Sequence, residues 1–291
     1  NPDNYVLRAE YYAEQRMFDQ AFDDYNLALK ADSLRDDIIY KRAQLHFVLE
    51  NFEASLNDCK KCVAVNPQST NCLLLWGQFD IHMKNYKEAF ERINAALAVN
   101  EQLPFAYYMK GRIYKETGDT LLAASSYQTA IEVDPEYYDA YIEVGLLYAH
   151  AKSDLALEYY NTAIDIRPNT VEALYNKAMY LQETGFKDAS RYAQALKVYD
   201  RIAEIDPSNA LAPYNKGYIY LEYLQHYDSA GISFTNAIEI NPAYFQAYYN
   251  RGLCYESLNK PKLALADYEA ALLIVPTWDA AAIAKSRVLG E

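Results

Sequence analysis

Residues 107–135 read YYMKGRIYKETGDTLLAASSYQTAIEVDP, and the spacing inside this stretch decides the fold. Tyr107, Gly111 and Tyr114 share one face of a helix with 3.6 residues per turn. Gly111, set between the two rings, lets a neighbouring helix approach closely. Thr117-Gly118-Asp119 then supplies a turn, with Gly118 releasing the first helix and Asp119 capping the second. Ala123, Tyr127 and Ala130 form a small-large-small stripe on that second helix, complementary to the large-small-large stripe before it. Pro135, preceded by Asp134, ends the unit. The stretch predicts a hairpin of two helices packed small against large.

The pattern returns along the chain. Residues 248–276 repeat it as Tyr248, Gly252, Tyr255, Ala264, Tyr268, Ala271 and Pro276. The hairpin-ending turn recurs at Ser33, Pro67, Glu101, Pro135, Pro168, Pro207, Pro242 and Pro276, at intervals of 34 except for 33 into Pro168, 39 into Pro207 and 35 into Pro242. One such hairpin cannot bury its apolar face alone, so stacked copies are required. A 34-residue period with this aromatic-x3-Gly-x2-Tyr-x8-Ala-x3-Tyr-x2-Ala-x4-Pro spacing resembles the tetratricopeptide-repeat (TPR) family, over nearly the whole chain.

The resemblance implies an all-α, right-handed superhelical α-solenoid of about eight helix-turn-helix repeats. They fall at about 2–35, 36–69, 70–103, 104–137, 138–170, 171–209, 210–244 and 245–278, with a C-terminal capping helix in 277–291. Ala282, Ile283, Ser286 and Leu289 stripe the side of that helix expected to cover the last repeat. Three repeats depart from 34 residues. The missing residue of the fifth is read near Ala149-His150-Ala151, and the extra residue of the seventh near Leu224-Gln225-His226. The five extra residues of the sixth fall around Gly185 to Tyr192 and are read as an extended helix start, with a second contact surface on that edge as the alternative.

Composition narrows the function. The net charge of −13 disfavours nucleic acid and anionic membrane surfaces, which both need a basic face. No run approaches the roughly 18 apolar residues of a membrane span, so no direct membrane insertion is expected. The chain begins with Asn1 rather than Met, which leaves a cytoplasmic and an exported or lipid-anchored location equally open. Cys59 and Cys62 form a C-x-x-C without a second pair, and with Cys72 and Cys254 they read as small core residues.

Catalytic patterns are missing from the spacing. His46, His82, His150 and His226 sit in different repeats and never pair four residues apart. His46, at a helix-face Tyr position of other repeats, reads as a packed ring. Asp23-Asp24 and Asp36-Asp37 read as solvated charge. No cofactor, metal site or enzymatic activity is expected.

In the TPR family the first helix of each pair lines a concave groove that holds peptides or partner helices. Carried onto this sequence, the groove residues are Tyr108, Arg112, Tyr175, Asn176, Tyr214, Asn215, Tyr218, Tyr249 and Asn250. Tyrosine offers rigid area, and an Asn amide can bond a peptide group as both donor and acceptor. A second reading is open for the same residues: Tyr is abundant in this chain, and these side chains can equally pack one repeat on the next. The inferred inward acids are Asp3, Glu10, Glu14, Asp37, Glu116, Asp139, Glu143, Glu172, Glu183, Glu222 and Glu256, against Lys41, Arg112 and Lys115. Such a wall favours a neutral or basic protein ligand. No first helix carries the Lys and Asn, four residues apart, with which chaperone adaptors of this family hold acidic tails. The expected function is a non-catalytic interaction scaffold. The alternatives are a self-associating architectural scaffold with an empty groove, or a non-catalytic subunit regulating an enzyme.

Overall fold

Between the two helices of a hairpin the chain must reverse without leaving backbone groups unpaired, and the same turn does this repeatedly. In the computed structural model, which describes residues 1–290, Arg16, Glu50, Lys84, Gly118 and Lys152 have φ between 52° and 86°. They lie 34 residues apart, and Gln225 and Asn259 form a further pair with the same spacing. The amide after each reaches back to close the helix, as in Met17 N to Tyr12 O (2.8 Å), Asn51 N to His46 O (2.8 Å) and Asp119 N to Tyr114 O (2.8 Å). This is the Schellman end of a helix, which satisfies carbonyls that the helix itself leaves unpaired. Gly118 has the left-handed φ and the Asp119 side chain accepts from Leu122 N at 3.1 Å, as the quoted stretch predicts.

The chain forms two units, Asn1–Ala140 and Tyr141–Glu291. The first contains α1 (Pro2–Glu14), α2 (Phe18–Ala31), α3 (Asp36–Val48), α4 (Phe52–Val65), α5 (Thr70–His82), α6 (Tyr86–Val99), α7 (Pro104–Glu116) and α8 (Thr120–Val133). Helix α9 (Tyr138–His150) holds the division between the units. The second continues with α10 (Leu155–Ile166), α11 (Val171–Thr184), α12 (Ser190–Ile205), α13 (Leu211–Tyr218), α14 (Tyr227–Ile240), α15 (Phe245–Ser257), α16 (Pro261–Ile274) and α17 (Asp279–Leu289). Among the described residues no strand occurs.

Four hairpins close on a glycine facing a ring. Tyr127 lies against Gly111, Tyr160 against Gly145, Phe234 against Gly217 and Tyr268 against Gly252, and all four rings are buried. An Arg on the first helix also grips an Asp sixteen residues on: Arg8 Nε to Asp24 at 2.6 Å, Arg42 Nη2 to Asp58 at 2.6 Å and Arg251 Nη2 to Asp267 at 2.7 Å. Asp24 is therefore a buried, bidentate partner of Arg8 and not a solvated charge. Asp36 and Asp37 also have partners, accepting from Asn66 Nδ2 (2.9 Å) and from the Arg35 guanidinium. His46 stacks on Phe22 with centroids 4.2 Å apart, and burial lowers its proton affinity.

Several sequence expectations move. The fifth repeat keeps its full spacing to Lys152 and loses its residue in the first turn of α10, where Ala156 N reaches only three residues back to Ser153 O (3.1 Å). The extra residue of the seventh is absorbed one turn earlier than expected, as a π-turn over Ile219–Tyr223 that follows α13. In the sixth, α12 starts early and runs 16 residues against 14 in α14, with the remaining residues in the connection. Cys62 and Cys72 are disulfide-bonded between α4 and α5, while Cys59 and Cys254 are free and buried. On α17 the buried residues are Ala281 and Ala284, with Val288 packed beside them; Ile283 (66% exposed) and Leu289 (46%) face outward. The anticipated stripe is thus the open side of the helix.

Candidate partner-binding surface

The first-helix tyrosines recur one residue after the first aromatic position of the repeat, and each is held by its own hairpin and the next. In the first unit Tyr108 lies 5.6 Å from both Tyr127 and Tyr137 between ring centroids. Arg112, one turn further along α7, lines a depression of ≈ 370 Å³ with Gln78, His82, Lys84 and Glu116. In the second unit Tyr175 meets Tyr199 edge to face at 6.3 Å. Tyr214 stacks on Tyr244 at 4.6 Å, and Tyr249 packs on Trp278 at 4.8 Å. All these tyrosines are half-buried, so each gives one side to packing and keeps part of the other free.

The three asparagines divide. Asn215 donates from Nδ2 to the Tyr175 hydroxyl (3.3 Å), and Asn250 donates to the Tyr214 hydroxyl (3.1 Å). Both amides are 8% exposed. Each braces its repeat against the one before, which is the second reading the sequence left open. Burial raises the Tyr214 pKa, and the bond from Asn250 partly offsets this by favouring the phenolate. Asn176 is different: it is half-buried, its side-chain amide makes no hydrogen bond among the described residues, and it lines a cavity of ≈ 270 Å³ with Leu146, His150, Tyr160, Met179 and Glu183. An unpaired amide in a part-apolar hollow suits capture of a backbone peptide group. Tyr218 stands half-buried one turn after Asn215.

Charge on these helices is partly neutralised. Asp3 and Asp37 pair with Arg35, Glu10 with Lys41, and Glu256 with Arg287, while Glu116 accepts from the Tyr86 hydroxyl at 2.6 Å. Glu183 and Glu222 have no such partner. Beside them lie Tyr192 and Tyr223, stacked at 4.6 Å, which sequence reading passed over. The signal was present as the two lengthened repeats, since added residues break the register that places side chains elsewhere.

Among the described residues no group of three His, Cys, Asp or Glu side chains could hold a metal ion. No described helix is long and apolar enough to cross a membrane.

Tetratricopeptide-repeat models match residues 108–170, 148–210, 213–244 and 245–277. Among curated relatives, anaphase-promoting complex subunit 3 of Schizosaccharomyces pombe is 23% identical over 71% of this chain and 30% of its own length. A TPR repeat-containing protein of Methanocaldococcus jannaschii is 28% identical over 66% of this chain and 34% of its own. The chain thus spans about a third of the length of these relatives. The crystal structure of the C-terminal part of a TPR repeat-containing protein from Cytophaga hutchinsonii superposes with a TM-score of 0.69 at 18% identity, covering 84% of this chain and 98% of that one. The anaphase-promoting complex protein assembly Cut9-Hcn1 gives 0.55 at 17% identity, covering 92% and 52%. With its 34-residue turn spacing, its glycine-on-tyrosine helix crossings and these matches, the chain belongs to the tetratricopeptide-repeat family.

Proposed function

We propose that the protein is a non-catalytic scaffold that holds a neutral or basic segment of a partner protein along its first-helix face. The observation that carries this reading is Asn176, an amide without a hydrogen bond in a hollow shared with Met179, Tyr160 and the unpaired Glu183. Tyr108, Tyr175, Tyr214, Tyr218 and Tyr249 supply contact area at low entropic cost, and Arg112 supplies a donor. Asn215 and Asn250 support the surface from behind by fixing Tyr175 and Tyr214.

Recovery of partners from the native host, followed by binding measurements with Asn176→Ala, tests the proposal. The variant should weaken binding of the recovered segment several-fold with no change in melting temperature. Partner binding that ignores Asn176→Ala and every other first-helix substitution would overturn the reading.

A self-associating scaffold is the second reading, favoured by the outward Ile283 and Leu289 of α17. Light scattering separates the two, because a monomer at tens of micromolar would eliminate self-association.

A further inference from the structure

Two repeats exceed 34 residues, and their additions meet at one place. The extra residue of the seventh widens the helix end into the π-turn Ile219–Tyr223, where Leu224 N bonds Ile219 O (3.1 Å) and His226 N bonds Tyr220 O (2.8 Å). In an α-helix, side chains five apart diverge by about 140°. The wider turn instead brings the Tyr218 and Tyr223 rings together, with centroids 6.0 Å apart and planes at 75°. The longer connection of the sixth repeat delivers Tyr192 to the same ring, stacked on it at 4.6 Å and 15°. Tyr192 is buried under Gly185, a position where any Cβ would collide with its ring.

The result is a supported corner. Tyr192 backs Tyr223, which stays 43% exposed, and Tyr218 stands nearly at right angles to it. Glu183 and Glu222 are exposed and, among the described residues, unpaired. They lie near enough that, after burial and the neighbouring Tyr218 and Tyr192, their charge helps raise the Tyr223 pKa. Acids of the same helix face in other repeats have partners: Glu116 accepts from the Tyr86 hydroxyl and Glu256 pairs with Arg287. Tyrosine faces attract cations through the ring quadrupole, and flanking carboxylates add to that attraction. Single π-turns inside α-helices occur often at functional sites.

We propose that Tyr218 and Tyr223, backed by Tyr192 and flanked by Glu183 and Glu222, form an open aromatic box that takes a lysine or arginine side chain of the partner protein. This rests on the scaffold reading above and names the chemistry that one part of the surface selects. The two lengthened repeats then have a joint purpose: one builds the wall and the other its backing.

Fluorescence anisotropy of a dye-labelled hexa-arginine peptide with the full chain tests the box, with hexa-glutamate and an uncharged Gly-Ser peptide as controls. Hexa-arginine should bind in preference to both controls. Tyr223→Leu and Tyr218→Leu should each weaken it by about 2- to 30-fold, whereas Tyr223→Phe, which keeps the ring, should stay within about threefold of wild type. Melting curves on the same variants separate loss of fold from loss of the box. If both leucine variants bind hexa-arginine as tightly as wild type while Asn176→Ala weakens it, the box is wrong and the scaffold reading stands. If hexa-arginine binds no better than hexa-glutamate, the box and the basic-ligand reading fall together.

Discussion

At Gly111 an added Cβ would lie 2.5 Å from the Tyr127 ring, and at Gly252 it would lie 2.5 Å from the Tyr268 ring. Both rings are fully buried and cannot swing aside. Gly111→Leu or Gly252→Leu should therefore destabilise by roughly 1–3 kcal/mol or more, read as a lowered denaturant midpoint. The opposite sign is expected where a side chain occupies a left-handed backbone. Glu50 has φ 59° and Lys84 φ 59° in the turn that Gly118 fills without penalty. Glu50→Gly or Lys84→Gly should relieve about 1 kcal/mol per site, checked by the same denaturation. The glycine-and-ring crossing was legible in the sequence because both partners are large or small at fixed spacing. Asn215 and Asn250 were legible as special residues, but their assignment between ligand and packing required their partners, Tyr175 and Tyr214, 40 and 36 residues away. On the groove reading alone, Asn215→Ala with Asn250→Ala would spare the fold. With both amides buried and bonded, the double variant should instead lose about 1–3 kcal/mol, seen as a lower melting temperature even in the absence of partner.

Among the elements, the long connection before α12 carries its own anchors. Arg191 holds Asp154 with two bonds (2.7 and 2.9 Å) and donates to Thr184 Oγ1 (2.8 Å), while the Tyr180 hydroxyl donates to Asp154 at 2.9 Å. These bonds, Arg191 first and then Tyr180, lower the Asp154 pKa from 3.8 to about 2. A carboxylate with a depressed folded pKa stabilises fully above its unfolded pKa and loses that contribution as pH falls through the folded one. The melting difference between wild type and Asp154→Asn should thus be constant above about pH 5 and shrink as pH falls from about 4 to 2. It should also be modest, because Asp154 is half open to water. Lys187 only reaches the Lys152 carbonyl (3.0 Å) from an exposed position, and Lys187→Ala should cost about 0.5 kcal/mol at most. The sequence located the sixth-repeat insertion but misplaced the missing residue of the fifth and the extra residue of the seventh. A single missing or added residue leaves no composition mark, and whether a turn tightens, as at Ala156, or widens, as at Ile219–Tyr223, depends on which hydrogen bonds the ladder can keep. The Cys62–Cys72 link escaped for a similar reason: C-x-x-C drew attention to Cys59 and Cys62, while the helix turn between α4 and α5 brought Cys72 to the second thiol.

Within each unit, the described helices pack on their immediate neighbours in the chain, and in the first unit also on the next but one, as α3 on α5 and α5 on α7. This is why a period could be read at all: each repeat meets nearly the same surroundings, so the same residue types return at the same positions. Charge was less transferable. First-helix acids are common to many repeats, but whether each is neutralised depends on a single neighbour, as Arg35 and Arg287 illustrate. The same neighbour-only packing limits how far a defect can spread, since stability in a stacked array is close to a sum of repeat and nearest-interface contributions. Gly252→Leu forces the α15–α16 crossing open at Tyr268, and α14 and α17 are the helices that lean on that pair. Amide hydrogen exchange read by mass spectrometry should therefore speed up through α14–α17 and leave α1–α6 at wild-type protection. An equal loss of protection throughout would mean that the whole chain opens as one cooperative body, and local packing of neighbours would no longer explain its stability.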